Sequence, residues 1–121
     1  MELLSSDDVF NIHEKIIGPQ EFQGLAGDKF LDAVINRIEN RIHYGLIRDE
    51  YDLAATYAAV IAVGHVFNDA NKRTAAISMD TTLRRNGVIL QLDVEETGQI
   101  IIKIAQGLMD EIELARYLRS L

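Results

Sequence analysis

Apolar residues recur along this chain at intervals of three and four, the period of one helical face, through almost its whole length. Ser6, followed by Asp7 and Asp8, reads as the N-cap of a first helix with acidic residues in its first turn, running to about Ile17. Residues 18–27, "GPQEFQGLAG", gather turn formers into a loop. Asp28 then caps a second helix in which Phe30, Leu31, Val34, Ile35, Ile38 and Ile42 fall on one stripe. The period breaks over 43–50, "HYGLIRDE", where a short extended flap fits. Asp52 caps a third helix through Leu53, Tyr57, Val60 and Ile61; it is rich in alanine and poor in polar groups, so it reads as the buried, central one, and Gly64 closes it. Asn71 caps a fourth, through Ile77, Met79 and Leu83, with Arg84 and Arg85 near its negative dipole end and Gly87 just beyond. "VILQL" fits a short strand or a linker, and 94–108 and 111–120 read as two further helices with Asp110 as the cap between them. The expected architecture is a compact all-α bundle of about six helices. A short β-hairpin flap is the one exception the pattern allows.

The bulk numbers narrow what such a bundle does. The 121 residues suit one domain spanning 1–121, and neither a repeat nor a low-complexity tract interrupts it. The longest apolar stretch, "LAATYAAVIAVG", is short and alanine-rich for a membrane span, and "MELLSSDD" lacks the basic region and apolar run of a secretory signal. With no cysteine, disulfides and thiolate metal sites are excluded, and a reducing cytoplasm is the expected home. A net charge of -7 and a pI near 4.8 argue against direct nucleic-acid or anionic-membrane binding. An acidic protein that handles phosphate must concentrate its positive charge locally.

That concentration lies at 64–73, "GHVFNDANKR", the connection from the buried third helix into the fourth. A helix start offers free backbone N–H groups and a partial positive charge, which suits a phosphate. Lys72 and Arg73 sit in that first turn, where cations oppose the dipole; an anion bound there makes sense of an otherwise unfavourable placement. Lysine supplies a point charge, and arginine can hold two phosphate oxygens at once. His65 is suited to accept a proton from an attacking hydroxyl, Asp69 is a hard oxygen ligand suited to Mg²⁺, and Phe67 would turn inward to anchor the loop. Together these are the parts of a phosphoryl- or nucleotidyl-transfer site.

The stretch resembles the Fic motif, His-x-Phe-x-Asp/Glu-Gly-Asn-Gly-Arg, in the form found in the death-on-curing (Doc) toxins, His-x-Phe-x-Asp-Ala-Asn-Lys-Arg. His65, Phe67, Asp69, Ala70, Asn71, Lys72 and Arg73 all match that form, and the likeness continues through "RTA" (73–75) and "LRRNGV" (83–88). It implies an all-helical Fic fold. It also implies a Doc-type kinase that transfers the γ-phosphate of ATP to a threonine hydroxyl of elongation factor Tu, where typical Fic proteins transfer AMP. On this resemblance His65 is the base, Asp69 the Mg²⁺ ligand, and Asn71, Lys72 and Arg73 bind phosphates. Two departures from the general pattern bear on it. Ala76 stands where many Fic proteins have a second arginine that holds the γ-phosphate for AMP transfer. The Ser/Thr-x-x-x-Glu-Gly/Asn inhibitory helix is missing too, since its nearest match, "INRIEN" (35–40), has Ile35 at the hydroxyl position. Inhibition is then expected from another chain, in Doc systems an antitoxin whose C-terminal segment folds on the toxin.

Simpler readings stand beside these. Taken alone, His65 is a capping or core histidine, Asp69 and Asn71 are turn and cap residues, and Lys72 and Arg73 form a solvated face. His13 and His43 belong to no motif and receive no chemistry; Arg84 and Arg85 are explained as helix-end charges, though either could face a nucleotide. The flap at 43–50 could align a target peptide by strand addition. The rival functions are an AMP transferase and a non-catalytic binding module. A helix-turn-helix DNA binder would need a basic recognition face that this acidic chain lacks.

Overall fold

A helix without a polar face has to be surrounded, and the alanine-rich segment is. The computed structural model describes residues 1–26 and 31–121, and among them six helices follow in order. They are α1 (Ser6–Ile16), α2 (Leu31–His43), α3 (Glu50–Gly64), α4 (Asn71–Arg85), α5 (Val94–Ala105) and α6 (Glu111–Ser120). Helix α3 is the axis: every residue from Leu53 to Ala62 is buried, and α2, α4, α5 and α6 pack around it. Its alanines favour the helix intrinsically and let the neighbours approach closely. The fold is all-α. No helix is long and apolar enough to cross a membrane among the described residues.

Two helix starts lie earlier than the sequence indicates, by one residue at α1 and by three at α3. The N-cap of α1 is Ser5, not Ser6: Ser5 Oγ accepts from the Asp8 N–H at 3.1 Å, and Asp8 answers by accepting from the Ser5 N–H at 2.9 Å. The N-cap of α3 is Asp49, not Asp52. Asp49 has an extended backbone and takes the Asp52 N–H at 2.8 Å, while the Asp52 carboxylate turns back to the Arg48 N–H. At α3 the expected cap, Asp52, is the first-turn partner of the true cap; at α1 the cap is the serine just before the expected one, with Asp8 as its partner. Asp110 does cap α6, accepting from the Glu113 N–H at 2.8 Å. The expected cap at Asp28 and the core position Phe30 lie outside the described residues.

The expected flap at 43–50 does not form. Helix α2 runs to His43 and is closed by Gly45 at φ 73°, with the Leu46 N–H reaching back to the Arg41 carbonyl at 2.9 Å. The periodicity fails there because a helix stops and the next begins at Glu50, with Ile47 tucked into the core between them. Among the described residues, the extended pairing lies elsewhere, in the loop after α1. Leu25 faces Phe67 in an antiparallel bridge, flanked by Ala26 N–H to Val66 O at 2.7 Å and Asn68 N–H to Gly24 O at 3.0 Å. Residues 88–92 are a linker that carries the chain from α4 to α5.

The N-terminal residues are strapped across the middle of α3 and the end of α4. The buried Tyr57 hydroxyl donates to the Leu4 carbonyl and accepts from the Leu4 N–H, both at 2.7 Å. Asn86 bonds the backbone of Glu2 in the same two senses, and Arg85 pairs with Asp8 at 2.9 Å. This strap fixes where α1 begins, and so where its far end meets the connection between α3 and α4.

Candidate functional site

The connection is built on two backbone exceptions. Helix α3 ends at Gly64, and His65 follows in the left-handed region at φ 47°, which turns the chain sharply and leaves its side chain exposed. Val66 and Phe67 then point inward and are buried, Asn68 points out, and Asp69 is half-buried. Ala70 is left-handed again at φ 64°, at a position where the general motif has glycine. A side chain in this region costs about 1 kcal/mol or more, so neighbouring contacts must hold each turn in place.

Those contacts are local and dense. The Asn71 side-chain amide closes the loop on Phe67, its Oδ1 accepting from the Phe67 N–H at 3.1 Å and its Nδ2 donating to the Phe67 carbonyl at 2.9 Å. Asn71 is therefore not the cap of α4. It is the first helical residue, and the N-cap is Ala70, which has no side chain able to accept. Thr74 fastens the turn from the helix side: its N–H and its hydroxyl both donate to the Ala70 carbonyl, at 3.0 and 2.8 Å. Asn68 ties the loop to the bridge segment, donating to the carbonyls of Gln23 and Leu25.

The consequence is an unusual helix start. With no side-chain cap and no acidic residue in the first turn, the leading amides of α4 and its positive dipole end are left to an external anion. Lys72 and Arg73 stand exposed at the same place. Lys72 makes no ion pair among the described residues, whereas Arg73 is engaged: its guanidinium pairs with Glu21 and lies 3.4 Å from the Ile16 carbonyl. Glu21 is itself held, accepting from the Gly18 N–H at 2.9 Å, and the Arg73 contact keeps its carboxyl below the ordinary value. A carboxylate thus occupies the cation that a phosphate would use.

Asp69 is turned toward its own peptide, Oδ1 accepting from the Ala70 N–H at 3.0 Å. Its Oδ2 makes no hydrogen bond among the described residues, so a half-buried carboxylate oxygen is available beside the uncapped helix start. Among these residues no three histidine or acidic side chains converge on one point. A single carboxylate of this kind fits Mg²⁺, which is typically held by one or two carboxylates, substrate phosphates and water. Lys72 and Arg73 also border a groove of about 520 Å³ between α4 and α5. Its walls are mostly apolar, including Ile77, Leu90, Leu92 and Ile101, with Asp80 and Arg84 paired at 2.9 Å along one side. Arg84 therefore faces the groove, while Arg85 is turned away to Asp8. His65 and Asp69 lie outside this groove's lining.

His13 and Glu21 belong to this site, and no motif marks either one. His13 is fully buried at the far end of α1, with Nε2 2.9 Å from the Asp69 carbonyl and its ring stacked on Phe67 at 3.8 Å and 4°. The only trace in the sequence is a histidine on the inner face of an amphipathic helix, a pattern that core histidines share.

The model of the Fic/DOC family matches residues 3–83. Among curated proteins, "Protein kinase doc" of Escherichia phage P1 is 34% identical over 122 aligned positions, which cover 100% of this chain and 96% of that protein.

Proposed function

Because the chain belongs to the Fic/DOC family, we propose that it is a Doc-type toxin kinase. It moves the γ-phosphate of ATP onto a threonine hydroxyl of elongation factor Tu and so arrests translation. The observation that carries this reading is Lys72, a lysine at the uncapped start of α4 where the general motif has glycine. The relative that shares most of its length with this chain is named a protein kinase, which supports the same choice.

The residues divide the work as follows. Lys72, Arg73 and the leading amides of α4 hold phosphate oxygens, and Asn71 acts mainly through the loop it closes. His65, exposed on its left-handed turn, takes the proton of the incoming threonine hydroxyl. That oxygen forms a bond to the γ-phosphorus as the bond to the β–γ bridging oxygen breaks, and ADP leaves. Asp69 would hold Mg²⁺, which supplies charge neutralisation on the phosphates. Arg73 must exchange Glu21 for phosphate before it contributes.

Control of such a toxin falls to a second chain, an antitoxin whose C-terminal segment folds on it. The groove between α4 and α5, mostly apolar and bordered by Lys72 and Arg73, supports this reading by offering a surface suited to an amphipathic acidic segment. Incubation of the protein and elongation factor Tu with ATP labelled at the α- or the γ-phosphate tests the transfer. Label retained from the γ-position, and lost in His65→Ala, is the expected result; label retained from the α-position makes the protein an AMP transferase instead. Growth arrest undiminished in His65→Ala would point to a non-catalytic binding module.

A further inference from the structure

His13 has no place in the mechanism above, yet it touches two residues of the motif from a helix 56 positions away in sequence. A carbonyl oxygen only accepts, so His13 Nε2 carries the proton that meets Asp69 O. In the neutral ring Nδ1 is then a bare acceptor. It is buried without a hydrogen bond among the described residues, with a Glu14 carboxylate oxygen 3.8 Å away. Burying an unpartnered polar atom costs stability, and a phenylalanine would fill the same space and stack on Phe67 without that cost. Packing alone therefore does not account for a histidine here. The donor at Nε2 does.

What that donor holds is the Asp69–Ala70 peptide. The oxygen of this peptide takes the His13 proton, its N–H meets the Asp69 carboxylate, and the residue that follows is the left-handed Ala70. Rotating the peptide would break both contacts and swing the Asp69 carboxylate with it. We propose that His13 is a positioning residue that fixes the Asp69–Ala70 peptide through its Nε2–H while its ring braces Phe67, so setting the aim of the Asp69 carboxylate. Outer groups that orient a ligating carboxylate commonly govern affinity in this way. The kinetic consequence rests on the phosphotransfer reading; the position of the loop does not.

Two variants separate the roles. His13→Phe keeps a flat ring on Phe67 and removes the donor, and His13→Gln keeps an N–H of similar reach and removes the ring. In His13→Phe the ¹H–¹⁵N resonances of Asp69, Ala70 and Asn71 should move while those of α3 and α5 stay, with little change in melting temperature. The Mg²⁺ concentration needed for half-maximal phosphotransfer should rise about 10- to 100-fold, with a smaller effect on the rate at saturating Mg²⁺. His13→Gln should bring both readouts back toward wild type, which a purely packing role would not allow. Unmoved loop amides in His13→Phe would overturn the proposal, as would a His13→Gln variant no better than His13→Phe. If the wild-type protein transfers no phosphate, the kinase reading fails, and the amide shifts still decide for or against the positioning role.

Discussion

Replacing Tyr57 by phenylalanine removes one oxygen atom from the middle of α3, and the cost follows from what that oxygen touches. It is both donor and acceptor to the Leu4 peptide at 2.7 Å, inside the protein. Without it, the N–H and C=O of Leu4 both lose their partner. An unsatisfied buried backbone group costs about 1–3 kcal/mol, and the strap can partly retreat to water, so the net loss should be about 2–4 kcal/mol. For a chain of this size, that is about 4 °C of melting temperature per kcal/mol. Denaturant unfolding at pH 7 measures it directly. Alkaline pH gives a second, independent signature, because burial pushes the Tyr57 phenol from 10.0 up to about 12. Above pH 10 the unfolded chain releases this proton while the folded protein keeps it, so stability falls as pH rises. The loss continues until the folded phenol itself ionises near 12, at up to about 1.4 kcal/mol per pH unit. Tyr57→Phe should lack that component. A loss under about 1 kcal/mol at neutral pH, or an unchanged alkaline slope, would refute the clamp.

Other consequences are open to test. Glu21→Gln removes the carboxylate that competes for Arg73 and should tighten binding of ADP or inorganic phosphate a few-fold by calorimetry, since exposed ion pairs are individually weak; unchanged or weaker binding would show that Glu21 does not compete. Arg119 grips Asp49 through two hydrogen bonds of 3.0 Å and Asp52 through a third, tying α6 to the start of α3. Its side chain is 41% exposed, so Arg119→Met should cost only about 0.5–1 kcal/mol. Burial raises the Asp49 carboxyl, but the bonds from Arg119 and from the Asp52 N–H outweigh it and leave it below 3.8. That contribution is present above pH 4 and is lost as pH falls through the lowered value, so acid unfolding of Arg119→Met should be the shallower. Lys72→Gly restores the general motif at one position and should depress γ-phosphate transfer; γ-transfer at the wild-type rate would remove Lys72 from the mechanism.

What the sequence discloses here follows the range of the forces involved. Helices α3 to α6 declare themselves because propensity, amphipathic period and caps such as Asp110 act within a few residues. The α3 start is blurred because a cap and its first-turn acid, Asp49 and Asp52, sit three apart, and the α1 start because two serines, Ser5 and Ser6, stand side by side; only backbone geometry distinguishes the candidates. Residues 43–50 look like a flap because an interrupted helical period has the same signature as a short extended piece. The chemistry-bearing residues from His65 to Arg73 are legible because they are contiguous. Their supports are not: Leu25 faces Phe67, Glu21 pairs with Arg73, and His13 holds Asp69 across separations that no local pattern encodes.

In the proposed function, Lys72 at the uncapped start of α4 directs transfer of phosphate rather than AMP. Intact-mass analysis of elongation factor Tu, incubated with this protein and ATP, tests it most directly. A gain of one phosphate is expected, absent when His65→Ala replaces the wild-type protein. A gain of one AMP, or no gain at all, would contradict it.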